Sequence, residues 1–212
     1  MGCLISFEGL DGSGKTTQMK LLQAWLEQRH IPFICTREPG GTALGIALRQ
    51  LLLHHPELKI TPLAEAFLFQ ADRAQHFAEL VLPALQDGKI VITDRCFDSS
   101  IAYQGVARGI GAEQIERLSL LATQGYVPDL TILLDLDPTM VHLRTDEAQN
   151  RHDTREPQTH FDKEEMLFHQ RLREAFLGLA RAHPQRIHVV DAGQTPERIH
   201  EQIIQLVEQI LW

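Results

Sequence analysis

The stretch that leaves this chain least freedom is GLDGSGKTT, which begins at Gly9 directly behind the apolar run CLISF. Gly9 to Thr16 satisfies GxxxxGK[ST], with a strand-like segment in front and a helical pattern behind, the setting in which that spacing cradles phosphate. Glycines let successive backbone N–H groups converge on phosphate oxygens, and the positive N-terminal end of the following helix adds to them. Lys15 is then placed to bridge donor phosphate oxygens, and Thr16 to offer its hydroxyl to Mg2+. A loop of this kind sits at the carboxyl end of a strand in an open parallel sheet, and ligands bind beside it there.

The remaining periodicity agrees with such a sheet. Short apolar runs alternate with long amphipathic segments, which predicts a parallel sheet covered by helices. The expected strands are Cys3 to Phe7, Pro32 to Thr36, Lys89 to Thr93, Leu130 to Leu136 and Ile187 to Val190. The expected helices are Lys15 to Gln28, Ala43 to Leu53, Pro62 to Leu85, Gly111 to Thr123, Thr139 to Thr145, Asp162 to Ala182 and Pro196 to Leu211. Thr61 and Thr195, each followed by Pro, are expected helix caps. The fold class is α/β, with five parallel strands flanked by helices in three layers and a short excursion that is lid-like or merely solvated. No repeat or linker divides residues 1–212, so a single domain is expected.

That excursion is TDEAQNRHDTREPQTH, Thr145 to His160, which is polar and lacks apolar periodicity. Composition by itself favours a solvated surface loop. The sharper reading is a lid over a phosphate site, spanning approximately residues 145–160.

A net charge of −8 argues against nucleic acid or an anionic membrane as partner, since both call for a basic footprint. Met1 to Phe7 is too short for a signal peptide, and no apolar run approaches the ~20 residues of a membrane span, so a cytoplasmic protein is expected. Cys3, Cys35 and Cys96 have no disulfide or zinc spacing and read as small buried residues. The 11 histidines show no ligand pattern and are expected at the surface.

A phosphate loop does not choose between an ATPase switch, a GTPase and a kinase. Charged residues at the other strand ends discriminate further. TREPGGT places Arg37, Glu38 and Pro39 after the second strand, and TDRCFDSSIAYQG places Asp94 and Arg95 after the third. No NKxD stretch supports guanine recognition. Two anions brought together for phosphoryl transfer need Lys15, several arginines and Mg2+ around them, which favours a phosphate acceptor.

With those motifs in hand, the chain resembles the thymidylate kinase family of nucleoside monophosphate kinases almost end to end. The likeness rests on FEGLDGSGKTT, REPGGT, FLFQADRAQH, DRCFDSSIAYQG and PDLTILLDLDP. The resemblance implies a P-loop NTPase fold, ATP as donor, dTMP as acceptor, Mg2+ and a homodimer, with apolar helix faces such as Leu63 to Leu82 as candidate contacts. It implies that Gly9, Leu10, Asp11, Gly12, Ser13, Gly14, Lys15, Thr16 and Thr17 serve ATP, with Asp11 also approaching the sugar of dTMP. Arg95 would clamp the acceptor phosphate and Asp94, with Thr16, would help organise Mg2+. Arg37, Glu38 and Pro39 belong to the same neighbourhood. Phe69 is expected against the thymine face, although in the run EAFLFQ its residue type alone reads as core, and Arg73 is expected at the base edge. Ser99, Tyr103 and Gln104 fall near base and deoxyribose, where the Tyr103 ring would crowd a 2'-hydroxyl.

The lid departs from the family pattern. Members with a small residue at the position of Gly12 draw a donor-side arginine from the lid, commonly in an Asp-Arg pair. The register of HFDKEEMLFHQR puts Thr159 and His160 there instead. Arg155, and less readily Arg151, is the expected catalytic replacement; otherwise the enzyme is slow, because a neutral His160 lacks the permanent charge of arginine.

Overall fold

The computed structural model describes residues 2–140 and 166–211. Its five strands are β1 (Cys3–Glu8), β2 (Phe33–Arg37), β3 (Ile90–Asp94), β4 (Leu130–Asp135) and β5 (Ile187–Asp191). They form one sheet in the order β2-β3-β1-β4-β5, with every pair parallel. The central strand is apolar nearly throughout because both its faces are covered, and all of Cys3–Glu8 is buried. The edge strand β2 is only half-buried.

Alternation along β1 divides the core. Cys3, Ile5 and Phe7 face one layer with Met19, Leu22 and Leu26 of helix α1 (Lys15–Gln28), while Leu4 packs on the other side with Val91, Phe77, Phe97 and Ile115. Burying Phe7 fully contributes roughly 1.5–3 kcal/mol, and its place beneath the phosphate loop makes that burial a foundation for the site. Ser6 and Glu8 share the face of Leu4, so alternation carries a buried carboxylate to the carboxyl end of the strand.

Helix α2 (Ala43–His54) starts at Thr42, whose hydroxyl accepts the Gly45 N–H at 3.0 Å. Helix α3 (Pro62–His76) carries Phe69 and Arg73 and runs into a π-helical turn at Phe77–Val81 and helix α4 (Leu82–Gln86). The expected single helix from Pro62 to Leu85 is therefore one helical rod with a widened turn. Thr61 makes no side-chain cap there, leaving Pro62 in the first turn to start the helix, whereas the Thr195 hydroxyl accepts the Arg198 N–H at 3.4 Å.

Helix α5 (Phe97–Ser100) and the π-helical segment Ile101–Ala107 occupy a stretch to which the sequence periodicity assigns no element. They bury Ser99, Ser100, Tyr103 and Gln104, polar residues that obscured the helical period. Helix α6 (Ala112–Ala122) follows, then helix α7 (Met166–Ala182) and helix α8 (Pro196–Leu211) after β4 and β5 respectively. Of the expected helix from Thr139 to Thr145, the part beyond Met140 lies outside the described residues, as do Arg151, Arg155, Thr159 and His160. No helix among the described residues is long and apolar enough to cross a membrane.

Two expectations about residue types are corrected. His76 and His169 are buried rather than at the surface, because His76 is enclosed in a polar network and His169 sits in the packed face of α7. Cys3 and Cys96 are buried, but Cys35 is exposed because β2 is an edge strand.

Candidate active site

The phosphate loop joins β1 to α1. Gly9 has φ +133°, and a Cβ there would stand 2.5 Å from the Leu134 carbonyl oxygen, so this position admits only glycine. Gly14 caps α1 in the left-handed region at φ +99°. Buried Lys15 folds onto the loop, its Nζ donating to the carbonyls of Leu10 at 3.0 Å and Gly9 at 3.2 Å, and standing 3.7 Å from Asp11 Oδ1. Burial, and then the charge of Arg95, lower the Lys15 pKa. Thr16 and Thr17 are exposed on the first turn of α1, and the Ser13 hydroxyl is buried without a hydrogen-bond partner.

Parallel register brings the strand ends together. Phe7 and Arg37 both align with Asp94, and the Glu38 N–H donates to the Asp94 carbonyl at 3.0 Å. One residue further on, Arg95 adopts φ +69°, a left-handed conformation that turns its side chain back across the end of β1. Its Nη2 donates to Asp11 Oδ1 at 2.6 Å and to the Tyr103 hydroxyl at 3.3 Å, and its Nη1 donates to Ser99 Oγ at 2.9 Å. The guanidinium carbon lies 5.2 Å from the Tyr103 ring centroid. Asp11 remains 43% exposed, so the Arg95–Asp11 pair forms the lip of the site.

The wall behind that lip is a closed polar network. Arg73, 2% exposed, donates from Nε to Glu38 Oε2 at 2.9 Å, from Nη1 to Gln70 Oε1 at 2.9 Å and Ser119 Oγ at 3.4 Å, and from Nη2 to Ser100 Oγ at 3.1 Å. Glu38 Oε1 accepts from His76 Nδ1 at 2.9 Å, and His76 Nε2 stands 2.7 Å from the Thr36 hydroxyl. Burial alone would raise the Glu38 pKa, but the charge of Arg73 and the His76 hydrogen bond lower it below the ordinary value. Phe69, half-buried, packs beside this wall against the main core, and Gln104 donates to Glu65 Oε1 at 2.8 Å. Pro39 is buried, and the Glu38–Pro39 bond is cis.

The expected residues thus fall into two groups. Asp11, Lys15, Asp94, Arg95, Ser99 and Tyr103 gather at the phosphate loop, while Glu38, Phe69 and Arg73 gather on α3 and the end of β2. Several contributors escaped the sequence reading: Glu8, Ser100, Ser119 and His76. Glu8 had one visible signal, a carboxylate closing an apolar strand. Ser119 had none, because a serine in an amphipathic helix carries no hint of a distant arginine.

Mg2+ can be tested against the residues present. Among the described residues no group of three or more His, Cys, Asp or Glu is arranged to hold a metal ion. Asp94 Oδ1 is nevertheless buried without a hydrogen-bond partner, in the electrostatic neighbourhood of Lys15 and Arg95. One carboxylate and the Thr16 hydroxyl suit Mg2+, which is commonly held by few protein ligands together with phosphate oxygens.

Comparison with known proteins gives one consistent family. The thymidylate kinase family profile matches residues 7–203. A thymidylate kinase from Bifidobacterium longum subsp. infantis is 47% identical, the match covering 99% of this chain and 88% of that protein. A thymidylate kinase from Symbiobacterium thermophilum is 42% identical over 100% of this chain and 95% of its own length. The crystal structure of thymidylate kinase from Ehrlichia chaffeensis superposes with a TM-score of 0.75 at 34% identity, covering 97% of this chain and 98% of that one.

Proposed function

We propose that this chain, which belongs to the thymidylate kinase family and transfers the γ-phosphate of ATP to dTMP to give ADP and dTDP, does so between the phosphate loop and Arg95. The observation that carries these residue roles is the Asp11 carboxylate shared by two cations, with Arg95 at 2.6 Å and Lys15 at 3.7 Å. Cations from two strand ends converge on one exposed carboxylate, and phosphate groups of donor and acceptor take its place as their counter-charge.

Residues Gly9 to Thr17 hold the ATP phosphates, with Lys15 turning from the loop carbonyls to phosphate oxygens. Arg95 holds the dTMP phosphate, with Arg37 and Glu38 shaping the adjoining wall. Phe69 lies against the base and Arg73 faces its edge, with Tyr103 and Gln104 beside the deoxyribose. An oxygen of the dTMP phosphate attacks the γ-phosphorus, and the new P–O bond forms as the bond to the β,γ-bridging oxygen breaks and ADP leaves with the electron pair. The attacking oxygen is already ionised, so positioning and charge neutralisation replace a general base. When bound through Thr16 and Asp94, Mg2+ supplies further neutralisation at the donor phosphates.

Arg155 supplies the donor-side charge from the segment 145–160. Arg155→Ala should lower kcat by on the order of 10³, and unchanged kcat and ATP KM would remove Arg155 from this role. The protein works as a homodimer in the cytoplasm without nucleic acid. Exposed Leu63 and Phe67, one helical turn apart on α3, and exposed Leu44 and Ile46 of neighbouring α2 support a self-association face. Ala66, Phe77 and Val81, within the Leu63 to Leu82 span, are core instead.

The residue roles are tested by measuring ADP release with dTMP, dUMP, dCMP, dGMP and AMP offered separately. We expect dTMP to lead, with dUMP trailing by ~10 to 200-fold, the discrimination available from one methyl group. Preference for another acceptor would overturn the base-pocket roles of Phe69, Arg73 and Tyr103.

A further inference from the structure

Buried Glu8 ends the central strand with no cation among the described residues bonded to it, and its two carboxylate oxygens are both committed to the segment that carries Arg95. Oε1 accepts the Cys96 N–H at 2.8 Å, and Oε2 accepts the Ser99 hydroxyl at 2.5 Å. Ser99 Oγ in turn accepts from Arg95 Nη1 at 2.9 Å. The same segment is pinned twice more, by the Arg95 N–H to the Phe7 carbonyl at 3.0 Å and by the Thr93 hydroxyl to the Arg95 carbonyl at 2.8 Å.

We infer that Glu8 is a positioning residue for the acceptor phosphate, acting through the Ser99 hydroxyl to aim the Arg95 guanidinium. The inference rests on the role given above to Arg95. A hydroxyl has one proton and two lone pairs, so once its proton is drawn to Glu8, both lone pairs are available to Arg95. A charged acceptor also strengthens the chain of hydrogen bonds it terminates. With the Arg95 backbone already held, Glu8 thereby restrains its side chain through Ser99 and leaves Nη2 facing Asp11 and the mouth of the site.

The surroundings argue against a purely structural role. Asp98, whose carboxylate is bidentately held by Arg186 at 2.6 and 2.9 Å, faces Glu8 with like charge. Burial and then Asp98 push the Glu8 carboxyl up to about 7, while the charge of Arg95 opposes them. A buried carboxylate next to another one destabilises the fold, so a neutral isostere would serve stability better. What a neutral isostere cannot do is receive both donors as a charged acceptor, since glutamine has one uncharged acceptor oxygen where Glu8 offers two to the Cys96 N–H and the Ser99 hydroxyl.

The test is a double-mutant cycle of Glu8→Gln and Ser99→Ala, with Kd for dTMP and for ATP measured by calorimetry and Tm recorded at pH 8. We expect each single variant to weaken dTMP by about 10-fold, the scale of one charge-assisted hydrogen bond, with ATP affinity within about 2-fold. Glu8→Gln should hold or raise Tm, and the double variant should bind dTMP no worse than the weaker single variant. Multiplying effects in the cycle, equal losses for ATP and dTMP, or an unaltered dTMP affinity in Glu8→Gln would overturn the inference. Should Glu8→Gln fail to fold, Ser99→Ala decides alone, since wild-type dTMP affinity in that variant breaks the relay. Arg95→Ala with unchanged dTMP affinity would instead overturn the role of Arg95 itself, a failure separate from that of the relay.

Discussion

Two buried glutamates stand at the mouth of this protein, each linked to an arginine, and the two pairs are built differently. On the β2 side, Glu38 takes Arg73 directly, at 2.8 to 2.9 Å, and His76 completes its shell. On the β1 side, Glu8 takes Ser99, and Arg95 reaches over it to the exposed carboxylate of Asp11. Arg73 thus donates four hydrogen bonds to buried protein acceptors, the longest to Ser119 at 3.4 Å, while Arg95 holds its shortest bond with a partner open to solvent. The first pair is a fixed wall. The second is poised for exchange, since an anion arriving at the lip competes with Asp11 on equal terms.

Arg95→Ala is expected to give the largest effect. With the acceptor-phosphate role proposed for Arg95, its loss should lower kcat/KM for dTMP by on the order of 10³, with Tm shifted by no more than a few degrees and ATP affinity unchanged. A large fall in Tm would erase the contrast by making Arg95 a wall residue too. Arg73→Met is expected to act in the opposite sense. It strands the Glu38 carboxylate among apolar and polar groups, which costs about 3–5 kcal/mol and lowers Tm by ~10 °C for a chain of this size. Adding Glu38→Gln should recover part of that loss, because it removes the uncompensated charge. Thermal unfolding of the two variants and the double variant checks both statements, and Arg73→Met with wild-type Tm would deny Glu38 its dependence on Arg73.

The same contrast explains what the sequence disclosed. The phosphate loop was legible because its chemistry is contiguous: Gly9, Gly14 and Lys15 act through backbone and position within one turn. The strands and most helices were legible through their periods, and β1 through Cys3, Ile5 and Phe7 on one face. Arg95 and Asp94 were visible as charges at the end of an apolar run. The wall was not, because its partners are distant in sequence: Arg73 meets Ser119, and His76 meets Thr36 and Glu38. No local pattern distinguishes those polar residues from solvated ones. The helical segment Phe97–Ala107 was hidden for a related reason, since its buried face is lined with Ser99, Ser100 and Gln104, which bond to other side chains instead of packing as hydrocarbon.

The smallest expected effect is a pH dependence that distinguishes the two glutamates. Glu38 has a lowered pKa, so its contribution to stability is present above the ordinary carboxylate value and is lost as pH falls through its folded value. Glu8 goes the other way, from 4.5 to about 7, and Asp72, raised to about 6 by burial and then by the charge of Glu38, follows it. In the window between unfolded and folded values the native state holds more protons than the unfolded chain, so stability falls as pH rises through that window. Wild-type protein should therefore unfold more readily at pH 8 than at pH 5, and Glu8→Gln should narrow that gap by ~1 to 2 kcal/mol. Urea unfolding of both proteins at the two pH values measures it. An unchanged gap would mean that Glu8 is compensated as fully as Glu38 is, with Arg95 acting on it directly rather than across Ser99.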